Sequence, residues 1–140
     1  MMSRGYMSQN ASATPRQRQE IEAPRLLKTR QEIPLVRAQT TFTTLLTARA
    51  DAYFLVENLW MANVTGGAIT VQVCLVAPAG AATSANAVAW TVAIAANTSA
   101  LIVGASGLLV PPGYTLQGQC STNNAVNLFG WGWNIIGDQE

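Results

Sequence analysis

Hydrophobic and polar positions alternate along several short stretches of the chain, and this alternation predicts β-strands. The clearest stretch runs from Ala68 to Val76 and follows the turn residues Thr65-Gly66-Gly67. Such a period of two is typical of a sheet that buries one of its faces. The apolar side chains of this stretch are predicted to share the buried face, and they are Ile69, Val71, Val73 and Leu75.

Further strands follow the same logic. β-branched and aromatic residues predict strands over 41–46, 52–64, 88–94, 100–103, 108–110, 114–120 and 125–136, with turn residues between them. Short strands separated by turns predict an all-β protein, an antiparallel β-sandwich of jelly-roll-like form. In the strand over 88–94 the side chains predicted to share an apolar face are Val88, Trp90, Val92 and Ile94.

The strand over 125–136 is unusual because neither of its faces is polar. One face holds Val126, Leu128, Gly130 and Gly132, with the two glycines leaving room for a close neighbour. Either the strand is central and buried on both sides, or its aromatic row packs against a sister subunit or the N-terminal segment. We predict a homo-oligomer, with a dimer favoured over a trimer. The candidate interface residues are Phe129, Trp131, Trp133 and Ile135.

Residues 1–40 are predicted to form an extended basic arm, followed by a β-sandwich domain over 41–140. The arm has a net charge of +4 and the domain a net charge of −3. Three prolines limit helices in the arm to about two turns, so we expect one short helix over 25–33 and an extended piece over 33–36. The basic residues predicted to bind a partner are Arg16, Arg18, Arg25, Lys28, Arg30 and Arg37.

The domain over 41–140 is poor in charge, with one arginine and four carboxylates in a hundred residues. Such a surface has little to prevent association, so much of it is expected to be covered by partners. Cys74 and Cys120 are predicted to be unpaired, reduced thiols that fill small spaces in the interior.

Candidate catalytic chemistry is sparse. The chain has no histidine, which excludes imidazole-based triads and metal sites. Asp51 and Glu57 would lie about 20 Å apart along a strand, too far for a glycosidase pair. We therefore expect no enzyme, no metal and no cofactor. Nucleic-acid binding is not expected either, because glutamates interleave with the basic residues of the arm. The uncharged run over 92–110 is interrupted by turn residues, so a membrane span and a membrane partner are not expected.

Four tryptophans offer an alternative, a carbohydrate-binding platform. Its hydrogen-bonding candidates would be Asn58, Asn127, Asn134 and Gln117. Packing in the core or at an interface is the favoured interpretation of the four rings, which are Trp60, Trp90, Trp131 and Trp133.

The run from Phe54 to Ile136 resembles a jelly-roll-like β-sandwich domain of accessory virion proteins of tailed bacteriophages. These proteins include capsid decoration or cement proteins and some neck and tail-fibre subunits. The resemblance implies a structural virion protein on the capsid surface that bridges subunits of the major capsid protein through the basic arm. A neck or tail-fibre adaptor, or a carbohydrate-binding module on the virion, is the alternative. The sequence blocks that carry the resemblance are Asn58-Leu59-Trp60-Met61-Ala62-Asn63, Thr65-Gly66-Gly67, Val71-Gln72-Val73-Cys74-Leu75-Val76, Gly107-Leu108-Leu109-Val110-Pro111-Pro112-Gly113-Tyr114-Thr115-Leu116-Gln117 and Asn124-Ala125-Val126-Asn127-Leu128-Phe129-Gly130.

Overall fold

The computed structural model describes residues 26–137. In this part of the chain, the alternating sequences form nine β-strands, which are arranged in two sheets. Between the strands lie two short 3₁₀ turns, Ser84–Asn86 and Val103–Ala105. In this described part of the chain, no helix is long and apolar enough to cross a membrane. The strands are β1 (Leu26–Arg37), β2 (Thr43–Thr47), β3 (Tyr53–Asn63), β4 (Ile69–Val76), β5 (Ala87–Ile94), β6 (Ser99–Leu101), β7 (Leu109–Val110), β8 (Thr115–Cys120) and β9 (Val126–Gly137).

The strand order is that of a jelly roll. The first sheet runs β1-β9-β3-β6, with the short β7 also paired to β3, and the second sheet runs β2-β8-β4-β5. Among the described strands, the first therefore pairs with the last, and the second with the next to last. Two sheets stacked in this way bury one face each and leave one face each towards solvent. The predicted antiparallel, jelly-roll-like β-sandwich is confirmed.

The core lies between the inner faces of the two sheets. Phe54 and Leu59 of β3 and Val71 and Val73 of β4 are fully buried there. Their neighbours in sequence point the other way, as the period of two requires. Of the four side chains predicted for the inner face of β4, Ile69, Val71 and Val73 are buried, and Leu75 is partly buried against the same core.

β1 differs from the prediction. The short helix expected over 25–33 is wrong, because Leu26–Arg37 is a strand of the first sheet. Ile33 anchors this strand with only 2% of its surface exposed. Pro34 is tolerated because β1 is the edge strand in the described part of this sheet, where a missing backbone N–H need not break the ladder. The sheet thus includes residues that were assigned to the arm, while residues 1–25 lie outside the described part.

β5 carries a second difference, at Trp90. Val71 pairs with Val92 and Val73 with Ala89, so β5 has one more residue than β4 between the two pairs. This bulge places Thr91 at a positive φ of 59°. Trp90 consequently points outward and is 43% exposed, rather than sharing the apolar face of the strand.

Both cysteines are free and buried. Cys74 lies on the outer side of β4 beneath the loop that precedes β5, and its Sγ donates to the carbonyl oxygen of Thr83 at 3.3 Å. Cys120 ends β8, and its Sγ donates to the carbonyl oxygen of Thr122 at 2.9 Å. The loop over 77–86 thus closes one end of the second sheet's outer face.

Candidate functional site

The outer side of β9 presents a row of large apolar side chains, which we call the aromatic face. The row consists of half-buried residues, whereas the alternate residues of β9 point inward and are buried. The first prediction, a strand buried on both sides, therefore holds for the inner side only. The residues of the aromatic face are Phe129, Trp131, Trp133 and Ile135, and Trp60 of β3 stands opposite Phe129.

Two glycines set the position of this strand. A Cβ added at Gly130 would collide with the carbonyl oxygen of Asn58, and one added at Gly132 with the carbonyl oxygen of Leu55. The neighbour for which the glycines leave room is therefore the backbone of β3. This close approach holds the aromatic face in a fixed position above the core.

Basic side chains from β1 cover the tryptophans. The Lys28 ammonium lies 4.5 Å from the ring centre of Trp133. The Arg30 guanidinium lies 4.2 Å from the ring centre of Trp131. Both distances fall within the range of a cation–π interaction. Two sets of residues that the sequence treated as separate, the basic arm and the oligomer interface, therefore meet on one face.

The remaining predicted basic residues are distributed differently. Arg37 lies at the end of β1, where its Nε donates to Oδ1 of Asn127 at 3.2 Å. Arg16, Arg18 and Arg25 lie outside the described residues. Half of the predicted partner-binding set is thus attached to the first sheet.

A bulge in β3 borders the aromatic face. Trp131 pairs with Asn58 and Gly132 with Val56, so Glu57 is the extra residue. Its Oε1 accepts a hydrogen bond from Nε1 of Trp133 at 3.1 Å. The role of Glu57 was missed from the sequence. Its signal was the adjacent polar pair Glu57-Asn58, which interrupts the alternation of an otherwise regular strand.

The predicted carbohydrate platform is divided by the fold. Asn58 and Asn127 share the aromatic face, but Asn134 is buried on the inner side and donates to Gln31. Gln117 lies in the second sheet, as does Trp90. The rings of Trp131 and Trp133 meet edge to face, at 71° and 5.6 Å, and do not form a flat platform.

The outer side of the second sheet differs in kind, and we call it the neutral face. None of the four strands in this sheet contains a charged residue. Its open end holds a pocket of about 250 Å³. This pocket was not predicted, although the alternating Thr70 and Gln72, and Gln117 and Gln119, mark the polar side of their strands. The pocket is lined by Thr40, Thr70, Gln72, Gln119, Cys120 and Ser121.

Titratable groups do not cluster in the described range 26–137. No three of the cysteine, aspartate and glutamate side chains in this range lie close enough together to hold a metal ion. Burial raises the pKa of the Cys74 thiol, an effect partly offset by its hydrogen bond to Thr83.

Comparison with known proteins gives little beyond the fold. No family model matches the chain, and no curated protein matches it. Two solved structures, of the Gx and Gt strains of infectious bursal disease virus, are similar over 83% of this chain at 14% sequence identity. Their TM-scores are 0.42 and 0.40, and the chain spans 32% of the length of each viral chain. A likeness this distant carries no information on function.

Proposed function

We propose that the protein is a structural component of a virion, and specifically a cement or decoration protein on the capsid surface of a tailed bacteriophage. In this role it bridges subunits of the major capsid protein. The sequence blocks between Asn58 and Gly130 support the proposal by their resemblance to accessory virion proteins. The strand order is consistent with it, because viral capsid domains are among the proteins that use jelly rolls. A fold alone does not decide a function, so the surface must carry the argument.

The aromatic face is the observation that carries the proposal. Phe129, Trp131 and Trp133 form a continuous half-exposed row, and aromatic residues and arginine are enriched where proteins meet. Arg30 and Lys28 lie over the rings of Trp131 and Trp133 and add positive charge to this surface. Such a surface fits a protein partner better than solvent.

The proposed role requires two contacts, one between copies of the protein and one with the capsid. Copies of the protein pair through the aromatic face, with a homodimer favoured and a trimer as the alternative. The basic residues that precede β1, Arg16, Arg18 and Arg25, reach the major capsid protein. Many copies with modest contacts each would then reinforce a shell.

The capsid contact is tested by truncation. Removal of residues 1–25 keeps the whole of β1, so the sandwich should fold while occupancy on capsids that lack the protein falls sharply. Cosedimentation and electron cryomicroscopy of reconstituted particles measure the occupancy. Arg49→Gln is the matched control, because Arg49 is already paired with Asp51 at 2.9 Å on the surface. Full occupancy by the truncated protein would refute the capsid role of the basic segment.

The self-contact is tested by Trp131→Ala and Trp133→Ala. Both rings are on the outer side, so the β-rich circular dichroism spectrum should persist while the mass from light scattering falls to that of a monomer. Trp90→Ala, on the other sheet, should leave the mass unchanged. A wild-type protein that is already monomeric at micromolar concentration would contradict the pairing.

The position of the protein on the virion distinguishes a capsid cement protein from the closest alternative. A neck or tail-fibre adaptor would show density at the tail rather than over the head in an electron cryomicroscopy map. A carbohydrate platform on the aromatic face is less well supported, because Lys28 and Arg30 occupy the ring faces on which a sugar would stack.

A further inference from the structure

The pocket on the neutral face plays no part in the contacts proposed above. It lies on the outer side of the second sheet, and the aromatic face lies on the outer side of the first. The two outer faces of a sandwich point in opposite directions. The pocket therefore stays open when a partner covers the aromatic face.

The groups that line the pocket hydrogen-bond without carrying charge. Nε2 of Gln119 donates to Oε1 of Gln72, and this contact holds both amides in place. It leaves the Nε2 group of Gln72 as a donor and Oε1 of Gln119 as an acceptor. Ser121 is fixed as well, because its Oγ accepts from the backbone N–H of Thr70 at 3.1 Å. Fixed donors and acceptors thus stand side by side.

Aromatic rings flank the same part of the sheet. Gln119 pairs with Gln72, and the bulge of β5 places Trp90 next in that row. The ring of Trp90 stacks with that of Phe42, at 6.5 Å between centres and 21° between planes. The exposed part of this pair gives an apolar surface beside a polar pocket.

We propose that this pocket binds one ring of an uncharged saccharide. Neighbouring hydroxyl groups of a sugar donate and accept at once, which matches the free amide groups of Gln72 and Gln119. The C–H side of a sugar ring suits the aromatic surface at Trp90. A charged ligand would lose hydration with no opposite charge in the sheet to compensate it. The volume is slightly below the roughly 300 Å³ at which pockets for drug-sized ligands begin, so it suits a single ring.

The test uses the purified full chain and does not depend on the virion assignment. The probes are glucose, galactose, mannose and N-acetylglucosamine, with glucuronic acid as the charged counterpart of glucose. Saturation-transfer NMR detects binding, and tryptophan fluorescence gives the affinity. At least one neutral sugar should bind in the millimolar range, and glucuronic acid should bind more weakly than glucose or not at all.

Paired variants locate the site. Gln119→Ala should weaken binding about tenfold, the loss expected for one or two hydrogen bonds. Gln117→Ala is the matched control on the same strand and face, because its amide is engaged with Thr115 and it does not line the pocket. Trp90→Ala should also weaken binding, whereas Trp133→Ala on the opposite face should not.

Several outcomes would overturn the proposal. One is the absence of binding by every neutral probe, and another is binding of glucuronic acid at least as tight as that of glucose. Equal losses in Gln117→Ala and Gln119→Ala would place the sugar elsewhere. If Gln119→Ala melts early, Thr40→Ala serves instead, since Thr40 lies outside the strands. Its unchanged affinity would also count against the pocket. Capsid occupancy is measured separately, so either proposal can fail alone.

Discussion

The two outer faces of the sandwich have opposite chemistry although they belong to one small domain. The first sheet carries the described charges Lys28, Arg30, Glu32, Arg37 and Glu57, together with three tryptophans. The second sheet carries no charged residue in any strand, and its outer side presents threonine and glutamine beside the exposed Trp90. Charge poverty in the sequence is therefore a property of one sheet rather than of the whole surface.

This difference separates two kinds of recognition. Aromatic rings flanked by cations favour a large protein partner, whose contact covers the rings and orders the charges. Neutral amides favour a small ligand that hydrogen-bonds in a fixed geometry.

The largest effect on stability is expected at Gly132 of the first sheet, whose neighbours differ from those of Gly118 in the second sheet. Gly132→Ala places a methyl group against the carbonyl oxygen of Leu55 and the ring of Phe54, and neither can move without displacing β3. We expect a loss of more than about 4 kcal/mol in the free energy of unfolding. Gly118→Ala in the second sheet meets the methyl ends of Leu128 and Leu45, at 2.8 and 3.2 Å, which can rotate away. Urea denaturation of both variants measures the difference. Equal losses in the free energy of unfolding would show that the backbone contact of Gly132 does not fix the position of β9.

The next effect concerns β1, which brings most of the charge to the first sheet. Ile33→Ala removes a buried side chain and should cost about 3 kcal/mol. Leu35→Ala, on the same strand but 60% exposed, should change stability by less than about 0.5 kcal/mol. Thermal unfolding followed by circular dichroism tests the pair. Similar melting temperatures for Ile33→Ala and the wild type would mean that β1 is detached in solution.

A smaller effect separates the aromatic pairs of the two faces. A double-mutant cycle of Arg30→Gln and Trp131→Phe should give a coupling of about 0.5–1 kcal/mol that weakens as salt is added. Within residues 26–137 no cation lies over the stacked pair Phe42 and Trp90, and a cycle of Phe42→Leu and Trp90→Leu should give a coupling independent of salt. A salt-independent coupling in both cycles would show that charge does not distinguish the faces.

The smallest effect is a pH dependence at the covered end of the neutral face. Burial raises the pKa of Cys74 in the folded protein above its usual value, with the hydrogen bond to Thr83 acting in the opposite direction. The unfolded chain then releases this proton first. Its stabilising contribution is complete below about pH 8.5 and decreases as the pH rises above that value. Melting temperatures from pH 7 upward should fall less steeply in Cys74→Ala than in the wild type; parallel curves would contradict the assignment.

Much of the fold is predictable from the sequence because the alternation of buried and outward-pointing side chains is visible within each single strand. Val71 and Val73 point inward through the period of two alone, and turn residues mark where strands stop. β1 was not predicted because, among residues 27–33, only Ile33 is buried, while polar side chains and Pro34 dominate the segment. Its strand state comes from pairing with β9, which no local pattern records.

The candidate surfaces depend on contacts between distant residues, which explains why they were predicted only in part. The aromatic row was visible as an alternating pattern, but its contact with Lys28 joins residues more than a hundred positions apart. The pocket depends on the pairing of Gln72 with Gln119, which are 47 residues apart. The outward turn of Trp90 follows from one extra residue in β5, which is counted only against the partner strand.

The pairing of the first strand with the last has a consequence for biosynthesis. Among the described strands β1 emerges from the ribosome first, whereas β9, its described neighbour in the sheet, emerges last. The first sheet cannot close until translation of this region is complete, and folds dominated by such distant pairings fold slowly. During that interval β1 and the edge of β3 that β9 will occupy are both unpaired. A nascent chain that still lacks β9 is therefore especially prone to aggregation, and a chaperone would have a large effect on the yield during this interval.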